Sequence, residues 1–396
     1  MIRLVFYSHD TFGLGHIRRV TKLANAVVRS IPDSRCIIVT GSEKMESLTL
    51  APGIDYVKMP GVRKVGPEQY QARCLKLPIE KVIALRTRLI SAVLDRFKPH
   101  FFLVDNVPLG MGGEVKPVLA MLHKKHPHVR CILTMRDVLD SPEVIRDVWA
   151  RRGDFQALKE FYDRILIFGK QEVYDPVKAY GFPHQAAVKT RFCGYIGTAA
   201  TNGSAAADLP EYMSNGHDIV SVTVGGGEDG YPLVDCYLNG LVASRLSNNL
   251  EHVVFVGPYM PDLKKQAIVR RFGNSPNVHL LDFLPDISPW LEASDLVVSM
   301  GGYNSVYELL SLNLSGLIVP RVYPRKEQQI RAQRLEELGL VQMLDPGELT
   351  PDRLARKVLA SLNGSLSKQS KNGLDFEGPH RAVDFIQELA PVHARE

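Results

Sequence analysis

The feature that most constrains this chain is a repeated unit: a short apolar run, a turn rich in small residues, then a stretch with helical spacing. Such runs fall at residues 2–7, 36–40, 101–104, 131–134, 165–167 and 192–195, and again at 219–224, 253–256, 278–280, 296–299, 316–319 and 341–343. Apolar runs too short for helices, alternating with amphipathic stretches, predict parallel strands buried on both faces and joined by crossover helices. Between the two sets, residues 197–207 are almost all small or polar and can bury little surface. The expected organisation is therefore a first α/β domain over 1–197, a linker over 198–214 and a second α/β domain over 215–375. Residues 376–396 would form a C-terminal helix able to pack back on the first domain.

At 396 residues the chain is long enough for two cores, and its 45% hydrophobic and 23% charged content is that of a globular protein. No apolar run nears the roughly 20 residues that span a bilayer, and the start reads as a first strand rather than a signal peptide. Cys36, Cys74, Cys131, Cys193 and Cys236 lie far apart with no C-x-x-C pair. That spacing reads as reduced core thiols, with neither disulfides nor a metal site, and points to a cytoplasmic protein. A net charge of +5 does not indicate nucleic-acid binding, though it permits anionic substrates or a membrane surface. Residues 77–98 are amphipathic and carry Lys81, Arg86, Arg88, Arg96 and Lys98. This reads either as a peripheral contact with the inner face of an anionic membrane or as an ordinary solvated helix face.

Four junctions carry the chemistry. Residues 8–19 hold Gly13, Gly15 and His16 between the first strand and its helix. Glycines there allow a tight turn, and a histidine at the mouth of the sheet can serve as a general base near neutral pH, or simply as a surface histidine. Gly225, Gly226 and Gly227 follow the strand at 219–224, a layout that cradles phosphate at a helix N-terminus unless it is only a flexible turn. Gly301, Gly302, Asn304 and Ser305 repeat the layout, with Glu308 one turn into the helix. That carboxylate can accept from ribose hydroxyls or merely offset the helix dipole. A basic loop then leads from Pro320 through Arg325 to Gln328 and Gln329, where guanidinium suits phosphate and amides suit sugar hydroxyls, if it is not just a charged helix start. In the first half, Asp10, Asp105, Arg136, Asp137 and Asp140 follow strands and face the same crevice, with Arg136 and Asp137 either holding an acceptor or pairing with one another.

These segments together resemble the family of the bacterial peptidoglycan N-acetylglucosaminyltransferase MurG, glycosyltransferase family 28, most strongly from 219 to 339. The resemblance implies a GT-B fold: α/β, two Rossmann-like doubly wound domains with an interdomain cleft. It also implies an acceptor in the first domain and a nucleotide-sugar in the second. Gly13-Leu14-Gly15-His16 is similar to the family's Gly-Gly-His loop, so His16 would be the base, with Asp10 or Asp105 as other candidates. Gly13, Gly15, Arg136 and Asp137 would serve the acceptor. Gly225–Gly227 is similar to the diphosphate loop, and Gly301 through Glu308 to the segment whose Glu holds the ribose. Pro320 with Gln328-Gln329-Ile330-Arg331-Ala332 resembles the family's Gln-x-x-Asn-Ala motif, with Arg331 in place of asparagine. Gly194-Tyr195-Ile196-Gly197 lacks an arginine that the family carries nearby, which leaves the donor base open. His16-Ile17-Arg18-Arg19 also resembles a hydrolase relative that cleaves a UDP-amino-sugar.

The activity so implied is inverting, metal-independent transfer of a sugar from a nucleotide diphosphate sugar to an acceptor nucleophile. No cofactor beyond that donor is expected. The acceptor is left open among a lipid-linked sugar, a polysaccharide and a small metabolite. Hydrolysis or 2-epimerisation of the nucleotide-sugar, and a non-catalytic nucleotide-sugar sensor, are the alternatives.

Overall fold

The computed structural model describes residues 1–9, 14–66, 69–198, 209–244, 250–282, 284, 286–363 and 373–390. The chain divides into two compact units, Met1–Ile196 with Glu377–Glu396, and Gly197–Phe376.

In the first unit the order is β1 (Arg3–Tyr7), α1 (Gly15–Ser30), β2 (Arg35–Thr40), β3 (Ile54–Lys58), β4 (Val62–Gly66), β5 (Gln69–Ala72), α2 (Ile79–Phe97), β6 (Phe101–Asp105) and α3 (Lys116–Lys125). There follow β7 (Arg130–Arg136), α4 (Pro142–Arg152), α5 (Asp154–Glu160), β8 (Arg164–Phe168), α6 (Pro176–Tyr180), α7 (His184–Ala187) and β9 (Thr190–Phe192). Seven strands form one sheet in the order β3-β2-β1-β6-β7-β8-β9, every neighbouring pair parallel. The central strand β6 is buried along its whole length, and that two-sided burial is what makes its sequence a continuous apolar run.

The second unit runs β10 (Asp218–Thr223), α8 (Tyr231–Ser244), β11 (Leu250–Phe255), α9 (Asp262–Phe272), β12 (Val278–Leu281), α10 (Ser288–Glu292) and β13 (Leu296–Ser299). It continues through α11 (Tyr303–Ser311), β14 (Gly316–Ile318), α12 (Glu327–Glu337), β15 (Gln342–Met343) and α13 (Pro351–Asn363). Its six strands order as β12-β11-β10-β13-β14-β15, again all parallel. Each unit has its own apolar core. The last helix, α14 (Gly378–Gln387), packs on α1 of the first unit. It is reached through an antiparallel bridge from Ile196 to Glu377, and the Gly378 N–H donates to the Tyr195 carbonyl at 3.0 Å.

Both sheets are doubly wound, so each has one place where the strand order reverses: between β1 and β6, and between β10 and β13. Connections from two such strands leave in opposite directions and open a crevice at their carboxyl ends. The residues discussed below cluster at these two places.

Several expectations are corrected. The strand expected at 192–195 is Thr190–Phe192, since β8 pairs Ile165 with Thr190 and Gly194 turns away at φ 83°. The edge strand β3 and the antiparallel hairpin β4–β5 were not anticipated. Cys74 is exposed, not a core thiol, whereas the other four cysteines are buried. Arg86 is not on the solvent face of α2: its side chain is fully buried and forks onto Glu114 at 2.6 and 2.7 Å, where the Tyr7 hydroxyl also donates at 2.7 Å. No helix among the described residues is long and apolar enough to cross a membrane.

Candidate active site

In the first unit, α1 begins at Gly15, which places His16 in its first turn above the β1–β6 crevice. Asp105 ends β6 beside it, buried to 1% exposure, and its Oδ2 lies 2.6 Å from His16 Nδ1. A carboxylate carries no proton to offer, so a contact this short requires Nδ1–H to donate. Arg19, one turn further along α1, donates Nε–H to the other Asp105 oxygen at 3.1 Å, and its Nη2 also bonds that oxygen. The His9 N–H approaches Asp105 Oδ2 at 3.4 Å, and the His9 ring meets that of His16 edge-on with centroids 5.3 Å apart.

Burial favours the uncharged imidazole and lowers the His16 pKa from its ordinary 6.5. Asp105 opposes that shift, and the cations Arg19 and Arg136 reinforce it. Burial alone would raise the Asp105 pKa, but Arg19 and His16 hold its carboxyl well below the usual carboxylate range. The outcome is a neutral imidazole oriented by a permanent carboxylate. Its side chain keeps 12% exposure, and Nε2 makes no hydrogen bond among the described residues. That is the arrangement of a base whose lone pair faces outward.

Asp10 and Gly13 lie outside the described residues. Asp105 stands on His16 as its partner, and Arg136 acts on His16 through its charge. Asp137 is buried and accepts the following N–H, from Val138, at 2.6 Å. Sequence reasoning missed Arg19, although its spacing of three from His16 puts both on one helix face. It also missed Asn106, which follows Asp105 at φ 71° with its side-chain amide buried and without a hydrogen-bond partner among the described residues.

In the second unit, glycine turns follow β10 and β13, the two strands flanking the reversal. Their glycines divide by what surrounds them. A Cβ on Gly225 (φ 60°) would meet only Ser305 Oγ at 3.8 Å, and one on Gly302 would meet nothing within 4 Å. A Cβ on Gly227 would fall 2.3 Å from the Val256 carbonyl, and one on Gly301 2.9 Å from Ile318. Gly225 and Gly302 thus face open space, while Gly227 packs against backbone and Gly301 against the Ile318 side chain. The Gly226 carbonyl accepts from the Tyr259 N–H at 2.8 Å, which braces the same turn. Ser305 therefore brings the two turns together, with Asn304 beside it in the first turn of α11.

Glu308 falls in the second turn of α11, one turn deeper than a dipole-compensating carboxylate would sit. The hydroxyls of Thr198 and Ser288 reach its Oε1 at 3.3 and 3.1 Å. Its Oε2 has no partner among the described residues, so one oxygen is held while the other can accept from a ligand. In the loop after β14, Arg321 donates Nη1–H to Asp229 at 3.0 Å and also pairs with Glu327. Its backbone N–H donates to Gln328 Oε1 at 3.0 Å, so the Gln328 carbonyl is committed to the protein. Arg325 and Gln329 are half-buried at the start of α12. Among the described residues no group of His, Cys, Asp and Glu is arranged to hold a metal ion.

Two doubly wound units, one bearing an oriented histidine and the other two glycine turns beside a half-buried carboxylate, make up the GT-B fold. Residues 219–386 match the model of the glycosyltransferase family 28 C-terminal domain. A UDP-N-acetylglucosamine–N-acetylmuramyl-(pentapeptide) pyrophosphoryl-undecaprenol N-acetylglucosamine transferase of Finegoldia magna is 24% identical over 382 residues, 95% of this chain and 94% of the relative. The transferase of the same name from Exiguobacterium sibiricum is 26% identical over 177 residues, 44% of this chain and only 47% of that relative. The crystal structure of Acinetobacter baumannii MurG superposes with a TM-score of 0.60 over 98% of this chain and 100% of that one, at 12% identity. The chain is thus similar to MurG along most of its length, and residues 219–386 match the family 28 C-terminal domain.

Proposed function

We propose that this protein transfers a sugar from a nucleotide diphosphate sugar to a hydroxyl acceptor, with inversion and without a metal. The observation that carries this reading is the His16–Asp105 pair. It supplies a neutral, oriented base, which is what an acceptor hydroxyl needs to become a nucleophile. As the acceptor oxygen attacks the anomeric carbon, its proton passes to His16 Nε2. Asp105 then balances the imidazolium that forms. The bond from the sugar to the diphosphate breaks, and the leaving diphosphate takes the electron pair. Gly225, Gly302 and the positive end of the α11 dipole suit that leaving charge, and no divalent cation is needed if they carry it. Glu308 Oε2 would accept from the ribose, and Arg325 and Gln329 would face the diphosphate and the sugar.

The relatives' names specify UDP-N-acetylglucosamine as donor and a lipid-pyrophosphoryl acceptor. We extend to this chain a nucleotide-sugar donor and a lipid-linked acceptor, met at the inner face of the membrane. Exposed Leu75, Leu77 and Leu85, together with exposed Lys76, Lys81 and Arg88, give α2 and the segment before it the apolar-and-basic surface such a contact uses. A panel of UDP-, GDP- and dTDP-sugars tests the donor reading through thermal unfolding. One of them should raise the melting temperature in proportion to log concentration, and stabilisation by none would sink the reading.

A further inference from the structure

Arg331 stands where the resemblance calls for an asparagine that reads sugar hydroxyls, yet its side chain is buried within the protein, at 1% exposure. From the inner face of α12 it donates Nη1–H to the Gly301 carbonyl at 3.1 Å, and its guanidinium lies 5.6 Å from the centre of the Tyr303 ring. Tyr303 opens α11 and meets Tyr307 edge-on at 4.8 Å, with both rings buried. Gly301, at φ 83°, is the last residue before the Gly302 cap of that helix. Tying its carbonyl to a rigid guanidinium fixes the peptide plane that also carries the Gly302 N–H.

The placement costs stability. A cation next to a helix N-terminus opposes the helix dipole, and burying it adds a desolvation penalty. A neutral donor could hold the Gly301 carbonyl without either cost. What the cation adds is positive potential beneath the turn, and an anion docked on that turn would use it. We infer that Arg331 is a positioning residue for the donor diphosphate: it sets the Gly301–Gly302 turn and supplies charge behind it, and it does not read the donor sugar. This rests on the donor site proposed above.

The test measures affinity by calorimetry for whichever of UDP, GDP and dTDP binds the wild type, and for the matching nucleoside. Arg331→Gln, which keeps an amide donor but loses the charge, should weaken the diphosphate about tenfold and the nucleoside less than about twofold. Arg331→Lys should restore the diphosphate to within about threefold, since the charge returns without the fork. Equal losses for nucleoside and diphosphate, or no loss at all, would overturn the inference. If neither variant folds, Arg331 is purely structural and the inference is equally wrong. A wild type that binds none of the three diphosphates would remove the donor reading itself, and this inference with it.

Discussion

As the proposed base, His16 would act through Nε2, which makes no hydrogen bond among the described residues. With Nδ1–H committed to Asp105, the lone pair sits on Nε2, and burial with two nearby cations keeps it unprotonated below the ordinary 6.5. A base of this kind works when neutral, so the proposal predicts that kcat/KM falls only as pH drops through a value under 6.5. His16→Ala should leave nucleotide affinity nearly unchanged, cut turnover by about 10²–10⁴-fold and abolish that acidic limb. Asp105→Asn removes the one neighbour that raises the His16 pKa, so its acidic limb should move to still lower pH while the maximal rate drops. Retention of the limb in His16→Ala would place the base elsewhere. Glu308 gives a second residue-scale test. Glu308→Gln should cost about 1.5–3 kcal/mol of nucleotide affinity, the worth of a charge-assisted hydrogen bond, with melting temperature scarcely altered. Unchanged affinity in calorimetry would show that Oε2 does not meet the ribose.

The glycine turns divide into positions with open space beside them and positions closed by packing. Gly225 and Gly227 are two residues apart and read alike in sequence, yet their surroundings differ. Gly225→Ala should fold with a strained backbone at φ 60° and lose affinity for a nucleoside diphosphate more than for the nucleoside. Gly227→Ala would push a methyl onto the Val256 carbonyl, so it should lower the melting temperature and weaken both ligands alike. A reversed pattern in paired unfolding and calorimetry would contradict the division. The same contrast explains what the sequence could reveal. Strands such as β6 and β10 are buried on both faces and leave a solid apolar run, so they were legible. Strand β3 is a half-buried edge, and the hairpin β4–β5 is held by pairing among polar residues such as Arg63 and Gln71. Neither leaves that run. His16 and Asp105 could each be placed at a strand end, but their contact spans 89 positions and depends on how β1 and β6 lie side by side. The burial of Arg331 was not legible either, because a motif position states a residue's place and not where its side chain turns.

Across the whole molecule, each unit repeats one device, a doubly wound parallel sheet whose order reverses once, and each puts different chemistry at the reversal. The first carries the oriented His16–Asp105 pair and the second the two glycine turns, a split that suits the proposed reaction with two substrates. A hydrolase or a 2-epimerase would consume the donor alone. The most direct measurement is therefore to supply the nucleotide-sugar that stabilises the protein, with and without a lipid-linked sugar acceptor, and to follow nucleoside diphosphate and sugar together. Transfer predicts that nucleoside diphosphate appears in step with glycosylated acceptor, and at a small fraction of that rate when the acceptor is left out. Donor breakdown or epimerisation at the same rate without acceptor, or no consumption of donor under either condition, would contradict it.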